Sequence, residues 1–330
     1  MHKKFRLSAV ALAAVALSTL AACGGNSAAP GGSASDSNGA NLKLAFIPGL
    51  VGDEFYISMR CGAEKEAAAE GVTIDTQGPA KFDPSLQRPI VDSVVASKPG
   101  AILIAPTDSS AMEAPLKAAK AAGIKLVLVD TTLQDPSVAV SAVASDNKGG
   151  GAEAFKAIKQ LAPNGGKVLV VSTDPGVSTL DLRTAGFEEA VKADSTFQYL
   201  GVQYSHNDPA EAARVVTAAL SKDPDIVGIF AGNTASAEGS ATGVRQANKQ
   251  STVKIVGFDA GPAQVKQLQE GTVQALIAQQ PEQIGVDGVK QAVAALKGQP
   301  VTANIQTDFK MITKDNVDTD GKDYIYKSSC

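Results

Sequence analysis

The chain has 330 residues, 44% of them hydrophobic, with 30 Lys and Arg against 34 Asp and Glu, and a net charge of −4. This acidic balance argues against nucleic acid as a partner, because phosphate binding needs clustered cations. Three cysteines and two histidines (His2 and His206), far apart in sequence, do not make a metal site, and neither metal nor cofactor is expected.

Lys3, Lys4 and Arg6 precede an uncharged apolar run from Leu7 to Leu20. The run is too short to span a bilayer comfortably and has the form of a signal-peptide core. Its ending, Leu20-Ala21-Ala22-Cys23, resembles a lipobox, in which signal peptidase cuts before an acylated cysteine. On this reading residues 1–22 are a lipoprotein signal peptide, Cys23 is the lipidation site, and the protein works outside the cytoplasmic membrane, touching it only through lipid. The alternative is an ordinary secretory signal cut after Ala22, with Cys23 free. Removing residues 1–22 leaves 27 basic against 34 acidic residues, a net charge of −7. Residues 23–40 are mostly Gly, Ser, Ala, Asn and Pro with a single acid, Asp36; they cannot bury a core and read as a flexible linker. Roughly 290 residues follow, enough for two lobes of ordinary size.

From there short apolar runs alternate with helical stretches. Leu42–Ile47, Ala101–Ala105, Lys125–Asp130, Lys167–Ser172, Ile226–Ala231, Val253–Phe258 and Gln274–Gln279 read as strands, nearly continuous in apolar residues as strands covered on both faces are. Ile57–Glu70, Pro84–Ser97, Glu113–Ala122, Ala152–Leu161, Leu180–Lys192, Pro209–Ser221, Pro262–Glu270 and Ile284–Leu296 read as helices. Gly71, Gly123, Gly271 and Gly298 stand where helix C-caps belong. The alternation predicts an α/β fold of parallel sheets built from right-handed crossovers. With Cys23 acylated, Cys61 and Cys330 form an even pair in an oxidising compartment. A disulfide would tie the C-terminal tail to the first helix; two separate thiols are the alternative.

The chain also repeats itself. Phe82-Asp83-Pro84 and Asn207-Asp208-Pro209 each open a helix, and Pro99 and Pro224 each precede the next strand. Asp83 and Asp208 fit helix N-caps with proline at the first helical position. One helix later each half has a strand ending in aspartate, Val127-Leu128-Val129-Asp130 and Val256-Gly257-Phe258-Asp259. Two similar doubly wound lobes follow, and such sheets bind ligands at the carboxyl ends of their strands.

Asp53-Glu54-Phe55-Tyr56, Ala105-Pro106-Thr107-Asp108, Ala144-Ser145-Asp146-Asn147, Val256-Gly257-Phe258-Asp259 and the segment Ile277 to Gly285, in this order and spacing, resemble the sugar-binding receptors of bacterial ABC importers, the type I periplasmic binding fold of the ribose-binding class. The resemblance runs from about Leu42 to Lys314. It implies two lobes joined by a hinge, assigned here as 41–145 plus 280–307 and 146–279 plus 308–330, closing on a small polyhydroxylated ligand. Phe55 and Tyr56 would face its C–H surface. Asp130 and Asp259 would accept from its hydroxyls, since a carboxylate can take two neighbouring donors. Asn233 and Gln279 both donate and accept, and by family position Asp53 and Asn207 also face the cleft. Thr107-Asp108 reads as a helix cap, Asp146-Asn147 as structural at the crossover, and Arg183 as fixing its helix.

Ribose-type receptors often place arginine where this chain has Thr131, another near Asp181, and asparagine where it has Ala105. Thr131 and Asp181 therefore count as specificity positions, and ribose itself is disfavoured against another neutral sugar, a linear polyol or a cyclitol. The resemblance implies a monomeric receptor delivering ligand to the transmembrane subunits of an ABC permease; the alternative is a receptor read by a chemoreceptor or sensor kinase. An enzyme is not expected. The sequence has no G-x-S-x-G elbow, H-E-x-x-H or P-loop. Asp130 and Asp259 could mimic a glycosidase pair, but equivalent positions in a duplicated fold predict hydroxyl recognition instead.

Overall fold

The computed structural model describes residues 42–330. The expected signal peptide, Cys23 and the linker lie outside the described residues. The first lobe begins with β1 (Lys43–Ile47), α1 (Glu54–Glu70), β2 (Thr73–Thr76), α2 (Pro84–Ala96), β3 (Ala101–Ile104), α3 (Glu113–Ala121), β4 (Lys125–Val129) and β5 (Ser141–Ser145). The chain then builds α4 (Asn147–Leu161), β6 (Gly166–Ser172), α5 (Ser178–Lys192), β7 (Phe197–Tyr204), α6 (Pro209–Lys222), β8 (Ile226–Ala231), α7 (Thr234–Gln246), β9 (Lys254–Phe258), α8 (Pro262–Glu270) and β10 (Ala275–Ala278). It closes with α9 (Pro281–Leu296), β11 (Asn304–Thr307) and β12 (Lys310–Ile312). Among the described residues no helix is long and apolar enough to cross a membrane.

These strands form two six-stranded sheets, ordered β11-β5-β4-β3-β1-β2 and β12-β10-β9-β8-β6-β7. Every pair is parallel except β12, which runs antiparallel to β10. The architecture is the expected two-lobed α/β fold. The chain passes between the sheets after β5, after β10, and between β11 and β12. Central strands are buried along their length; Ile102, Leu103 and Ile104 of β3 and Ile229 and Phe230 of β8 have no exposed surface. Helices on both faces remove the alternation that a half-wet strand would show.

The local signals place the helix ends. Asp83 accepts the N–H of Ser85, and Asp208 those of Ala210 and Glu211. Gly71, Gly123, Gly271 and Gly298 all adopt left-handed φ, from 67° to 87°. Cys61 and Cys330 are bonded, with their Cα atoms 5.3 Å apart.

Several elements escaped the sequence reading. β2, β11 and β12 are short edge strands with mixed polarity, β5 (SAVAS) is built of small residues, and β7 carries Gly201 at φ 92°. Helix α7 is rich in Ala, Ser and Gly because it packs backbone-close on α6: a Cβ at Gly239 would collide with the Pro209 carbonyl. Helix α4 begins at Asn147, five residues before its expected start, and takes in Gly149, Gly150 and Gly151. Glycine is a poor helix former, but here close approach decides. A Cβ on Gly151 would strike the Arg183 carbonyl of α5, and one on Gly186 that of Lys148.

Candidate functional site

The site lies where the carboxyl ends of both sheets meet. On the first lobe, Asp53 caps α1, its Oδ1 accepting the N–H groups of Phe55 at 2.9 Å and Tyr56 at 3.4 Å. That cap starts the helix so that both aromatics point inward, edge to face with ring centroids 5.1 Å apart. Asp130 follows β4 with φ 64°. Its N–H donates to Val143 O of the neighbouring strand at 2.8 Å, and its Oδ2 accepts the Tyr56 hydroxyl at 2.8 Å.

The second lobe answers with equivalent parts. Asp259 follows β9 with φ 79°, and its N–H donates to Ile277 O at 2.9 Å. Its Oδ1 accepts Gln279 Nε2 at 2.7 Å and the Tyr326 hydroxyl at 3.1 Å. Asn233 caps α7 through Ser236 N and donates its Nδ2 to Asn207 Oδ1 at 2.7 Å. Arg183, buried on α5, donates Nε to Asn147 Oδ1 at 2.8 Å and an Nη to Gly232 O at 2.9 Å. Its guanidinium carbon lies 3.8 Å from the centroid of the Phe258 ring, a cation–π contact.

Between these groups is a cavity lined by residues of both lobes. The lobes are drawn together over it. Ser109 N donates to Gly176 O across the mouth at 3.1 Å, and Thr132 N to Ser178 Oγ at 2.8 Å. At the hinge, Ser145 at the end of β5 bridges Gln279 after β10 and Thr307 at the end of β11: Ser145 Oγ donates to Gln279 Oε1 at 2.7 Å and lies 3.3 Å from Thr307 Oγ1. The three crossovers are thus linked to Asp259 through Gln279.

The cavity is acidic, with three aspartates in its wall. Burial, with Asp259 and Glu54 nearby, pushes Asp53 up to about 7. Burial also raises Asp130, to about 6, against the opposing pull of Arg183 and Tyr56. A buried carboxylate short of donors resists ionisation, so this wall suits a ligand that brings hydrogen-bond donors without negative charge. Leu50, Phe55, Phe82, Val177 and Leu180 give the cavity an apolar side. No cluster of three or more metal-ligating side chains occurs among the described residues.

Of the residues expected from the sequence, Asp53, Phe55, Tyr56, Asp130, Asn207, Asn233, Asp259 and Gln279 line this one cavity. Thr131 and Asp181 do not. The short Thr131 side chain turns back into its own lobe and donates to Pro106 O at 2.7 Å. Asp181 is exposed and accepts the Gly176 N–H at 3.1 Å, because it lies on the outer side of α5 while Thr179, Leu180 and Arg183 face in. Arg183 fixes its helix, as the sequence suggests, and also forms cavity wall. The sequence reading missed Thr173, Thr179 and Tyr326. Thr173 is buried in the cavity wall and its hydroxyl has no protein partner. Its place after β6 at a strand's carboxyl end was the available signal; Tyr326, in a tail with no periodicity, offered none.

The family described as "Periplasmic binding protein domain" matches residues 44–300. The ribose import binding protein of Escherichia coli is 34% identical over 274 residues, spanning 82% of this chain and 90% of that protein. That of Bacillus subtilis is 31% identical, over 85% and 91%. Among solved structures, an ABC transporter solute-binding protein from Agrobacterium vitis bound with α-D-tagatopyranose is 41% identical, with a TM-score of 0.84 over 86% of this chain and 99% of that one. A second from Agrobacterium vitis, with bound D-fucose, is 30% identical with a TM-score of 0.82, over 86% and 100%.

Proposed function

Because the chain belongs to the periplasmic binding protein family, we propose that it captures a neutral sugar or polyol between its lobes and delivers it to an ABC permease. One observation carries the reading. Asp130 and Asp259, equivalent residues of the two lobes, border one cavity whose other side is aromatic and aliphatic. Carboxylates take pairs of vicinal hydroxyls, amides such as Asn233 and Gln279 match groups that both donate and accept, and Phe55 covers a C–H face. With one arginine against three aspartates in the wall, an acidic or phosphorylated sugar is disfavoured. The relatives named for ribose and bound to tagatose or fucose fall in this ligand class.

Capture works by population shift. A ligand bonded to both lobes favours the closed state by its differential affinity for it, and the hinge residues Ser145, Gln279 and Thr307 are where that bias is felt. The basic-apolar start and Cys23 support a receptor held outside the membrane by lipid, near its permease. The role is binding, without turnover of the ligand.

A thermal-shift screen against pentoses, hexoses, pentitols, tetritols and inositols tests this reading. Ligand at a hundred times its Kd adds about 2.7 kcal/mol of stability, a shift of several degrees. A folded protein that shifts with none of them refutes the ligand class.

A further inference from the structure

We propose that the C-terminal tail, residues 313–330, is a strap that completes the binding site, with Tyr326 as the positioning residue for Asp259. The inference rests on the reading of the cavity as the ligand site, and the tail lies beyond the residues the family matches.

After β12 the tail packs on the second lobe, where Val317 and Tyr326 are buried. Tyr326 N donates to Ala260 O at 3.0 Å, next to Asp259. One residue later the strap has crossed to the first lobe. Lys327 N donates to Ser58 Oγ of α1 at 2.7 Å, Lys327 Nζ pairs with Glu282 of α9 at 2.7 Å, and Cys330 is bonded to Cys61 of α1. The tail is therefore a fourth connection between the lobes, fastened covalently at its end.

Tyr326 makes three contacts of different kinds. Its ring lies 5.8 Å from that of Phe55. Its hydroxyl accepts the Gln279 N–H, in the β10–α9 crossover, at 2.9 Å and donates to Asp259 Oδ1 at 3.1 Å. Packing against Phe55 would need only a phenylalanine; the hydroxyl is required by Gln279 and Asp259 alone. Oδ1 takes two close donors, from Tyr326 and Gln279, while Oδ2 has only a long contact from Thr234 Oγ1 at 3.5 Å; the carboxylate is thereby fixed with Oδ2 as the oxygen offered to a ligand hydroxyl. The strap thus sets which oxygen of Asp259 is offered and couples it to the crossover that moves on closure.

The test uses Tyr326→Phe and Cys330→Ser in the full chain, titrated calorimetrically with D-tagatose and D-ribose, with hydrogen exchange read at the Gln279 amide. Tyr326→Phe is expected to keep its fold, weaken Kd by about fivefold or more, and speed Gln279 exchange by roughly tenfold. Cys330→Ser is expected to weaken Kd in the same direction through faster dissociation. A merely structural tail would lower the melting temperature of both variants and leave Kd and Gln279 exchange unchanged, which overturns the proposal. If Tyr326→Phe does not fold, an unchanged Kd in Cys330→Ser overturns it. If the wild type binds neither sugar, the receptor reading is in question, and the exchange arm decides the strap alone: unchanged Gln279 exchange in Tyr326→Phe refutes it, and faster exchange supports it.

Discussion

Asp130 and Asp259 are counterparts held in the same way: each leaves its strand in the left-handed region, at φ 64° and 79°, and each carboxylate takes a tyrosine hydroxyl, from Tyr56 and Tyr326. Aspartate tolerates this backbone better than most residues, but the conformation still costs of order 1 kcal/mol. The surroundings over-determine it in both lobes through an N–H bonded to the adjacent strand. The two halves of the site are thus built by one device used twice, although one tyrosine comes from the first helix and the other from the tail.

Asp130→Asn and Asp259→Asn keep a side chain that tolerates left-handed φ, so each variant is expected to fold. Each loses charged acceptors, and a hydrogen bond to a charged group contributes about 1.5–3 kcal/mol. Calorimetric titration is expected to show ligand affinity reduced by about 10- to 100-fold in each.

Asp53 gives a pH dependence with a definite sign. Its folded value, raised by burial to about 7, lies above that of the unfolded chain, so the folded state holds the proton more tightly. That contribution is complete below about pH 4 and is lost as pH rises through about 7. Asp53→Asn preserves the cap and removes the penalty. Urea unfolding without ligand is expected to find wild type and variant similar near pH 4, and the variant more stable by about 4 kcal/mol at pH 8.

Arg183 is buried, and its partners have no substitute. Arg183→Met leaves Asn147 Oδ1 and Gly232 O without their donor and removes the cation that opposes the rise of Asp130. Leaving a buried acceptor without its donor costs about 1–3 kcal/mol each, so the variant is expected to lose several kcal/mol of stability. Lysine lacks the planar fork, so Arg183→Lys is expected to recover less than half of the loss in denaturation experiments.

Ser178 and Thr132 close the mouth through one hydrogen bond between the lobes. Ser178→Ala removes the acceptor from the closed state only. A bond of about 1 kcal/mol predicts several-fold faster ligand release in stopped-flow measurements, with association nearly unchanged.

What the sequence made legible follows from which forces act locally. Continuous apolar strands, aspartate caps and terminal glycines placed the central strands and most helix ends, because each signal lies within one element. The polar edge strands β2, β11 and β12, the first five residues of α4 and the close-packed helix α7 are hidden in the sequence, because their residues answer to a neighbour's backbone. The cavity residues that stood out were those repeated between lobes or carried by a motif, such as Asp130, Asp259 and Asn233. Thr131 and Asp181 were assigned by position beside a motif, and side-chain length and helix phase turn them away. Tyr326 enters from a distant segment, and only the folded path of the tail brings it to Asp259.

The central claim is that a neutral polyhydroxylated ligand is gripped between Asp130 and Asp259. The most direct measurement is calorimetric titration of the wild type and of the double variant Asp130→Asn/Asp259→Asn with D-tagatose, D-fucose, D-ribose and the pentitols. The account predicts one-to-one binding of at least one of them to the wild type, with Kd of about 1 μM or below (−8.2 kcal/mol), and no measurable heat from the folded double variant. Wild-type affinity retained in the double variant, or a folded wild type that binds none of these ligands, would contradict it.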